Sequence, residues 1–114
     1  MKPMESIHMA REAREALLSK KGTGVVILDV RKISPVTDYY VIASGVTAPQ
    51  LKAMSSAVHR HLKESGVRFF RQSGMPDDGW VVLDFVDVVI HMFLQEIRDY
   101  YAIEELWADA PQVS

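Results

Sequence analysis

The chain has 114 residues, 48% hydrophobic and 25% charged, with no cysteine and a formal net charge of −2. That suffices for one domain spanning 1–114 with an ordinary core, and it excludes disulfides, thiolate catalysis and cysteine-held zinc. No apolar run approaches the roughly eighteen residues of a membrane span.

The opening MKPMESIHMAREAREALLSK turns charged too early for a secretory leader, and Glu5, Glu12 and Glu15 oppose an organelle transit peptide. A soluble cytoplasmic protein is expected. Residues 4–20 repeat apolar positions at spacings of three and four (Ile7, Ala10, Ala13, Leu17), which predicts a helix ending near Lys20 and Lys21. GVVILDV (24–30) and DYYVIASG (38–45) are short apolar runs and predict two strands. Thr47, with Gln50 three residues on, forms a capping-box pattern before a helix whose stripe is Leu51, Met54, Val58 and Leu62. Gly66 ends that helix, VRFFRQ (67–72) predicts a third strand, and Met75 to Gly79 is turn chemistry.

WVVLDFVDVVIHMF (80–93) then predicts two strands, 80–85 and 87–93, joined as a tight hairpin or one bent strand. Short helices at 95–101 and 103–108 close the chain. The order implies an α/β (α+β) domain with a mixed five-stranded sheet and flanking helices. By strand parity Trp80, Val82 and Asp84 share a face, as do Asp87, Val89, His91 and Phe93. Both faces are apolar enough to need cover, from helices or from another chain.

Charge is distributed unevenly. Residues 1–73 carry 12 Lys/Arg against 6 Asp/Glu, whereas residues 74–114 carry Arg98 alone against 9 acids. The acidic half also holds both tryptophans and two of the four tyrosines, a combination that suits a basic protein better than nucleic acid.

Asp84, Asp87 and His91 admit three readings. As metal ligands, Asp87 and His91 lie roughly 13 Å apart along one strand, too far for a single ion. As an acid–base pair, Asp84 and His91 lack a nucleophile, since no serine sits in G-x-S-x-G and no Asp-x-Asp occurs. As structural groups, the acids would bond the turn and His91 would be a half-buried sheet histidine satisfied by one of them. Of the tail aromatics, Leu106 and Trp107 are expected to dock on the sheet and one of Tyr100 and Tyr101 to point outward.

VTDYYVIASG (36–45), the Trp-x-x-x-Asp-x-x-Asp-x-x-x-His of 80–91 and RDYYAIEELWADAP (98–111), in this order, resemble the ribosomal silencing factor family, also called Iojap, over roughly residues 4–111. The resemblance implies a nucleotidyltransferase-like fold without catalytic acids, no cofactor and no metal. It implies a translation repressor that binds the large ribosomal subunit through the basic fourteenth large-subunit protein and blocks small-subunit joining, with homodimers when free. A nucleotidyltransferase-like enzyme or nucleotide-binding protein is the alternative. By position the partner-binding residues are Trp80, Asp84, Asp87, His91 and Tyr101, with Phe93 and Arg98 added from strand parity and neighbourhood. Where the family carries glycine this chain has Val86, which resists a positive φ, so a different local turn is expected. If His91 titrates near neutrality, partner binding should respond to mild acidification.

Overall fold

A computed structural model describes residues 5–113. Helix α1 spans Ser6–Ser19, so the predicted start at Met4 lies outside the described residues. Strand β1 (Thr23–Asp29) and strand β2 (Tyr39–Gly45) pair antiparallel, and helix α2 (Ala48–Glu64) follows. Strand β3 (Arg71–Ser73), a 3-10 turn at Pro76–Asp78, and strands β4 (Trp80–Asp84) and β5 (Val88–Leu94) come next. Helices α3 (Gln95–Tyr100) and α4 (Ile103–Leu106) and strand β6 (Gln112–Val113) complete the chain.

The sheet has six strands, not five, in the order β3-β4-β5-β2-β1-β6. Strand β6 escapes sequence reading because two residues carry no period. It exists through its pairing with β1, where Ile27 faces Val113 and the Asp29 N–H donates to the Pro111 carbonyl at 2.8 Å. Strand β3 is also shorter than VRFFRQ suggests. Phe69 leaves the ladder to pack its ring edge-on against His59 and Phe85, with centroids 4.5 and 5.3 Å away. The last helix stops at Leu106, and Leu106 is exposed rather than docked; Trp107 does pack on the sheet, against Tyr40. Tyr100 and Tyr101 are both exposed, stacked edge-to-face with each other.

One sheet face carries the main core. Ile27, Val41, Ala43, Val81, Leu83, Val88, Ile90 and Met92 meet Met9, Ala13 and Leu17 of α1 and Leu51, Met54, Val58 and Leu62 of α2. The α2 N-terminus is tied twice. Thr47 accepts from the Gln50 N–H at 3.2 Å, while Gln50 Oε1 reaches the Val46 N–H at 2.8 Å, one residue further back than a capping box requires. Gln50 Nε2 also donates to the carbonyls of Lys20 and Lys21, so one side chain joins the start of α2 to the end of α1. Of its hydrophobic residues the opposite face buries Ile42, Phe93 and Ile103 fully, with Val26, Leu28, Tyr40, Trp80, Ile97 and Trp107 partly buried around them. Helices α3 and α4 roof one part of that face and leave the rest half-open.

The β4–β5 connection corrects one expectation. Val86 adopts φ +72°, the left-handed conformation that its branched side chain opposes. The Asp87 N–H donates to the Phe85 carbonyl at 2.9 Å, closing a three-residue turn, and Asp84 Oδ1 accepts from the Val86 N–H at 2.7 Å. The strands on either side hold the turn in place, so valine bears strain on the order of 1–3 kcal/mol. Val86→Gly should therefore raise the urea midpoint, adding about 1 kcal/mol after glycine's entropy cost is subtracted. A lower midpoint in that variant would show that the turn is not strained.

Candidate functional site: an aromatic sheet face bordered by acids

Alternation along β4 and β5, read with the register, determines what the half-open face presents. Trp80 lies opposite Phe93, Val82 opposite His91, and Asp84 opposite Val89. Strand β2 adds Tyr40 beside Val89 and Ile42 beside His91. The rings converge on His91: Tyr40 edge-on at 5.3 Å, Trp107 at 5.0 Å, Trp80 at 6.1 Å and Phe93 parallel at 6.0 Å between centroids.

His91 finds its partner in this cluster and not among the acids. The Trp80 indole N–H donates to His91 Nδ1 at 3.2 Å, which places the imidazole proton on Nε2. Burial lowers the His91 pKa from 6.5 to about 4, because the charged form would lose its hydration among aromatic rings. The condition for a response near neutrality is therefore not met, since burial favours neutral His91 through pH 6–8.

Asp84 and Asp87 lie at the other end of β4, by the turn. That is about 13 Å from Trp80, at about 3.3 Å per residue over four residues. Asp84 caps the turn as the structural reading expects, and the exposed Asp87 lends its backbone carbonyl to the N–H groups of Asp38 and Tyr39. Among the described residues no three His, Asp or Glu side chains gather as metal ligands.

Phe93 is fully buried and Arg98 is 5% exposed, so neither presents a surface to a partner. Arg98 Nη1 donates to Ser44 Oγ at 2.7 Å and to the Gly24 carbonyl at 3.0 Å, pinning α3 to β1 and β2. Gly24 suits that place: its φ is +55°, and a Cβ would come within 2.8 Å of Arg98 Nη1, so the guanidinium would have to shift. Ser44 itself is fully buried, at a strand end where a phosphate-binding loop would need an accessible hydroxyl. Tyr101 stands exposed on the α3–α4 connection.

Tyr40 is the member of the face that sequence alone leaves unassigned. Tyr39 and Tyr40 are adjacent in a strand apolar on both sides, so parity cannot choose between them; the pairing of Leu28 with Tyr40 does.

Comparison with known proteins decides the family. Residues 3–114 match the model for the ribosomal silencing factor during starvation, RsfS. The chain belongs to the ribosomal silencing factor family. It is 38% identical over 104 residues to ribosomal silencing factor RsfS of Chromobacterium violaceum, covering 91% of this chain and 85% of that protein. RsfS of Bacillus subtilis is 34% identical over 99 residues, covering 87% and 84%. A crystal structure of a Chromobacterium violaceum protein superposes with a TM-score of 0.87 at 37% identity, covering 92% of this chain and 88% of that one. As a ribosomal silencing factor the chain represses translation by acting on the ribosome, and it is a regulator rather than an enzyme.

The depressed His91 pKa links stability to pH. A base whose folded pKa lies below its unfolded value contributes fully above about pH 6.5, and the contribution is lost as pH falls toward 4. The loss should amount to about 3 kcal/mol across that window. Urea unfolding at pH 7, 5.5 and 4.5 should show this slope in the native chain and a shallower one in His91→Phe; identical slopes would mean that His91 is not buried as neutral imidazole.

Proposed function

We propose that the half-open face of β2, β4 and β5 docks on the large ribosomal subunit, against the basic fourteenth large-subunit protein on the intersubunit side. Occupying that side excludes the small subunit by volume, with no turnover and no cofactor. The supporting observation is the pairing, on one face, of a semi-exposed aromatic cluster with a carboxylate border. A large aromatic side chain entering a desolvated contact is a usual anchor of protein interfaces. Carboxylates beside it set orientation and speed encounter with a basic surface more than they add affinity. A mouse relative, 32% identical over 94 residues, is named mitochondrial assembly of ribosomal large subunit protein 1, which agrees with a large-subunit partner.

Trp80, Asp84, Asp87 and Tyr101 are the contact residues of this proposal, and His91 holds Trp80 in place. Phe93 and Arg98 act from beneath, by supporting the face. The proposal extends to a cytoplasmic homodimer in the free protein, formed through the same apolar face, so that dimer and ribosome would compete for it. No helix among the described residues is long and apolar enough to cross a membrane. The nucleotidyltransferase-like outline is carried as a proposal that rests on the family resemblance alone.

Co-sedimentation with isolated large and small subunits tests this reading. The native chain should travel with large subunits alone. Trp80→Ala and Tyr101→Ala, each checked for folding, should bind at least about tenfold more weakly, a change of about 1.4 kcal/mol. Association should slow as salt rises, because screening weakens the pull between acidic and basic surfaces. Equal binding by both variants would remove this face from the contact, and travel with small subunits would reject the proposed partner. Binding should be unchanged between pH 6 and 8, since His91 carries no charge there.

A further inference from the structure

Residues 1–73 carry 12 basic side chains against 6 acidic ones, an excess that neither the core nor the docking face uses. Part of it stands in line on α2. That helix turns Leu51, Met54, Val58 and Leu62 into the core. Lys52, Ser56, His59 and Lys63, spaced four, three and four apart, form a second stripe on another side. Lys52, Ser56 and Lys63 are exposed, His59 is half-buried, and the exposed Arg60 borders them. From Lys52 to Lys63 the stripe runs about 16.5 Å, at about 1.5 Å per residue. No ion pair to Lys52, Arg60 or Lys63 forms among the described residues. Like charges three or four apart weaken a helix, so an external anion would relieve this stripe as it binds.

The stripe is one bank of a groove. Two hollows of about 620 and 700 Å3 lie along it and share Ser56 and His59, so they are continuous. The sheet edge makes the far bank, with Gln72 of β3 and Met75 in one hollow and Phe69 in the other. Phe69 is 39% exposed, and its ring meets that of His59 at a steep angle, 4.5 Å between centroids. Asp77, at the Lys52 end, is the one acid among the described residues that line either hollow.

Anions of different classes would use this groove differently. A free phosphate or a mononucleotide would occupy one end of so long a stripe. The carboxylates of an acidic peptide match the charge but offer the rings nothing to stack on. A single strand of nucleic acid offers both: phosphates at about 3.4 Å per stacked residue, so about five along the stripe, and unpaired bases that stack on aromatic rings. A duplex keeps its bases paired and away from the rings.

We propose that this groove binds single-stranded RNA without sequence preference, its backbone along Lys52, Arg60 and Lys63 and its bases against Phe69 and His59. Preference is absent because the stripe meets only phosphate and every base has a face to stack. The exposed Ser56 hydroxyl, midway along the stripe, can bond a 2′-OH, the group that separates RNA from DNA. Helix α2 covers the core face of the sheet, whereas Trp80 and Tyr40 lie on the other. RNA and the docking partner would therefore occupy opposite sides, and the groove does not depend on the docking reading.

The test titrates the full chain into a fluorescent RNA of about ten uridines, followed by anisotropy at about 50 mM salt. Binding should saturate and should shift the amides of His59, Lys63 and Phe69. Oligoglutamate, the deoxy strand and the strand paired with oligoadenosine should each bind at least about threefold more weakly. Lys52→Gln/Lys63→Gln should weaken the RNA at least about tenfold and flatten the slope of log affinity against log salt by about 1.4, or about 0.7 per phosphate contact. Lys32→Gln, on the β1–β2 connection, removes a charge outside the groove and should change neither. Phe69→Leu keeps an apolar contact with His59 and Phe85 but loses the ring, and should bind at least about fivefold more weakly. Asp77→Asn should bind more tightly. Urea midpoints establish that each variant is folded.

No binding, or equal binding by oligoglutamate, the deoxy strand or the duplex, would overturn the proposal. So would amide shifts that map elsewhere, unchanged affinity in Phe69→Leu, or a double lysine variant no weaker than Lys32→Gln. Tyr101→Ala, on the docking side, should bind the RNA as the native chain does; a loss there would move the RNA to that face and overturn the groove. Large-subunit co-sedimentation is read separately, so either surface can fail while the other stands.

Discussion

The two central strands, β2 and β5, run parallel, and a parallel pair cannot be closed by a hairpin. The chain must cross from one end of the sheet to the other between them, and that crossover contains α2, β3 and β4. Its consequences reach most of the molecule. Helix α2 returns across one face and, with α1, buries the apolar side chains there. Strand β4 arrives beside β5 in antiparallel register, which sets Trp80 diagonally across from His91. The other face is largely apolar along β2 and β5, and among the described residues the short helices α3 and α4 cover only part of it. That leaves Trp80, Tyr40 and Trp107 partly exposed.

On that face a polar atom pair is built into an aromatic cluster. The Trp80–His91 hydrogen bond satisfies both ring nitrogens it joins and fixes the indole against the sheet. A carboxylate partner would have drawn a proton onto His91 and buried a charged pair at considerable desolvation cost. The indole avoids that cost. The price is a histidine that opposes folding once it must be protonated, which keeps the face insensitive to pH in the neutral range.

The turn between β4 and β5 follows a different logic. Val86 sits in a conformation glycine would hold without strain, and the hydrogen bonds at Asp84 and Phe85 keep it there. Strain at such a position persists only where the surroundings over-determine it. Here they do, because the turn is clamped by two paired strands and by Asp84 Oδ1, which accepts from the Val86 N–H.

Much of this was legible in the chain itself. Period 2 in WVVLDFVDVVIHMF put Trp80, Val82 and Asp84 on one side, and Thr47 with Gln50 marked the start of α2; both are local properties carried by a few consecutive residues. The family motifs were readable for the same reason. Tertiary structure alone decided that Tyr40 rather than Tyr39 joins the face, that Arg98 turns inward to Ser44 and Gly24, that β6 exists, and that His91 bonds to an indole. Each of these depends on which strand lies beside which, and at what register. A strand apolar on both sides holds no information about that choice, so only the packed sheet could make it.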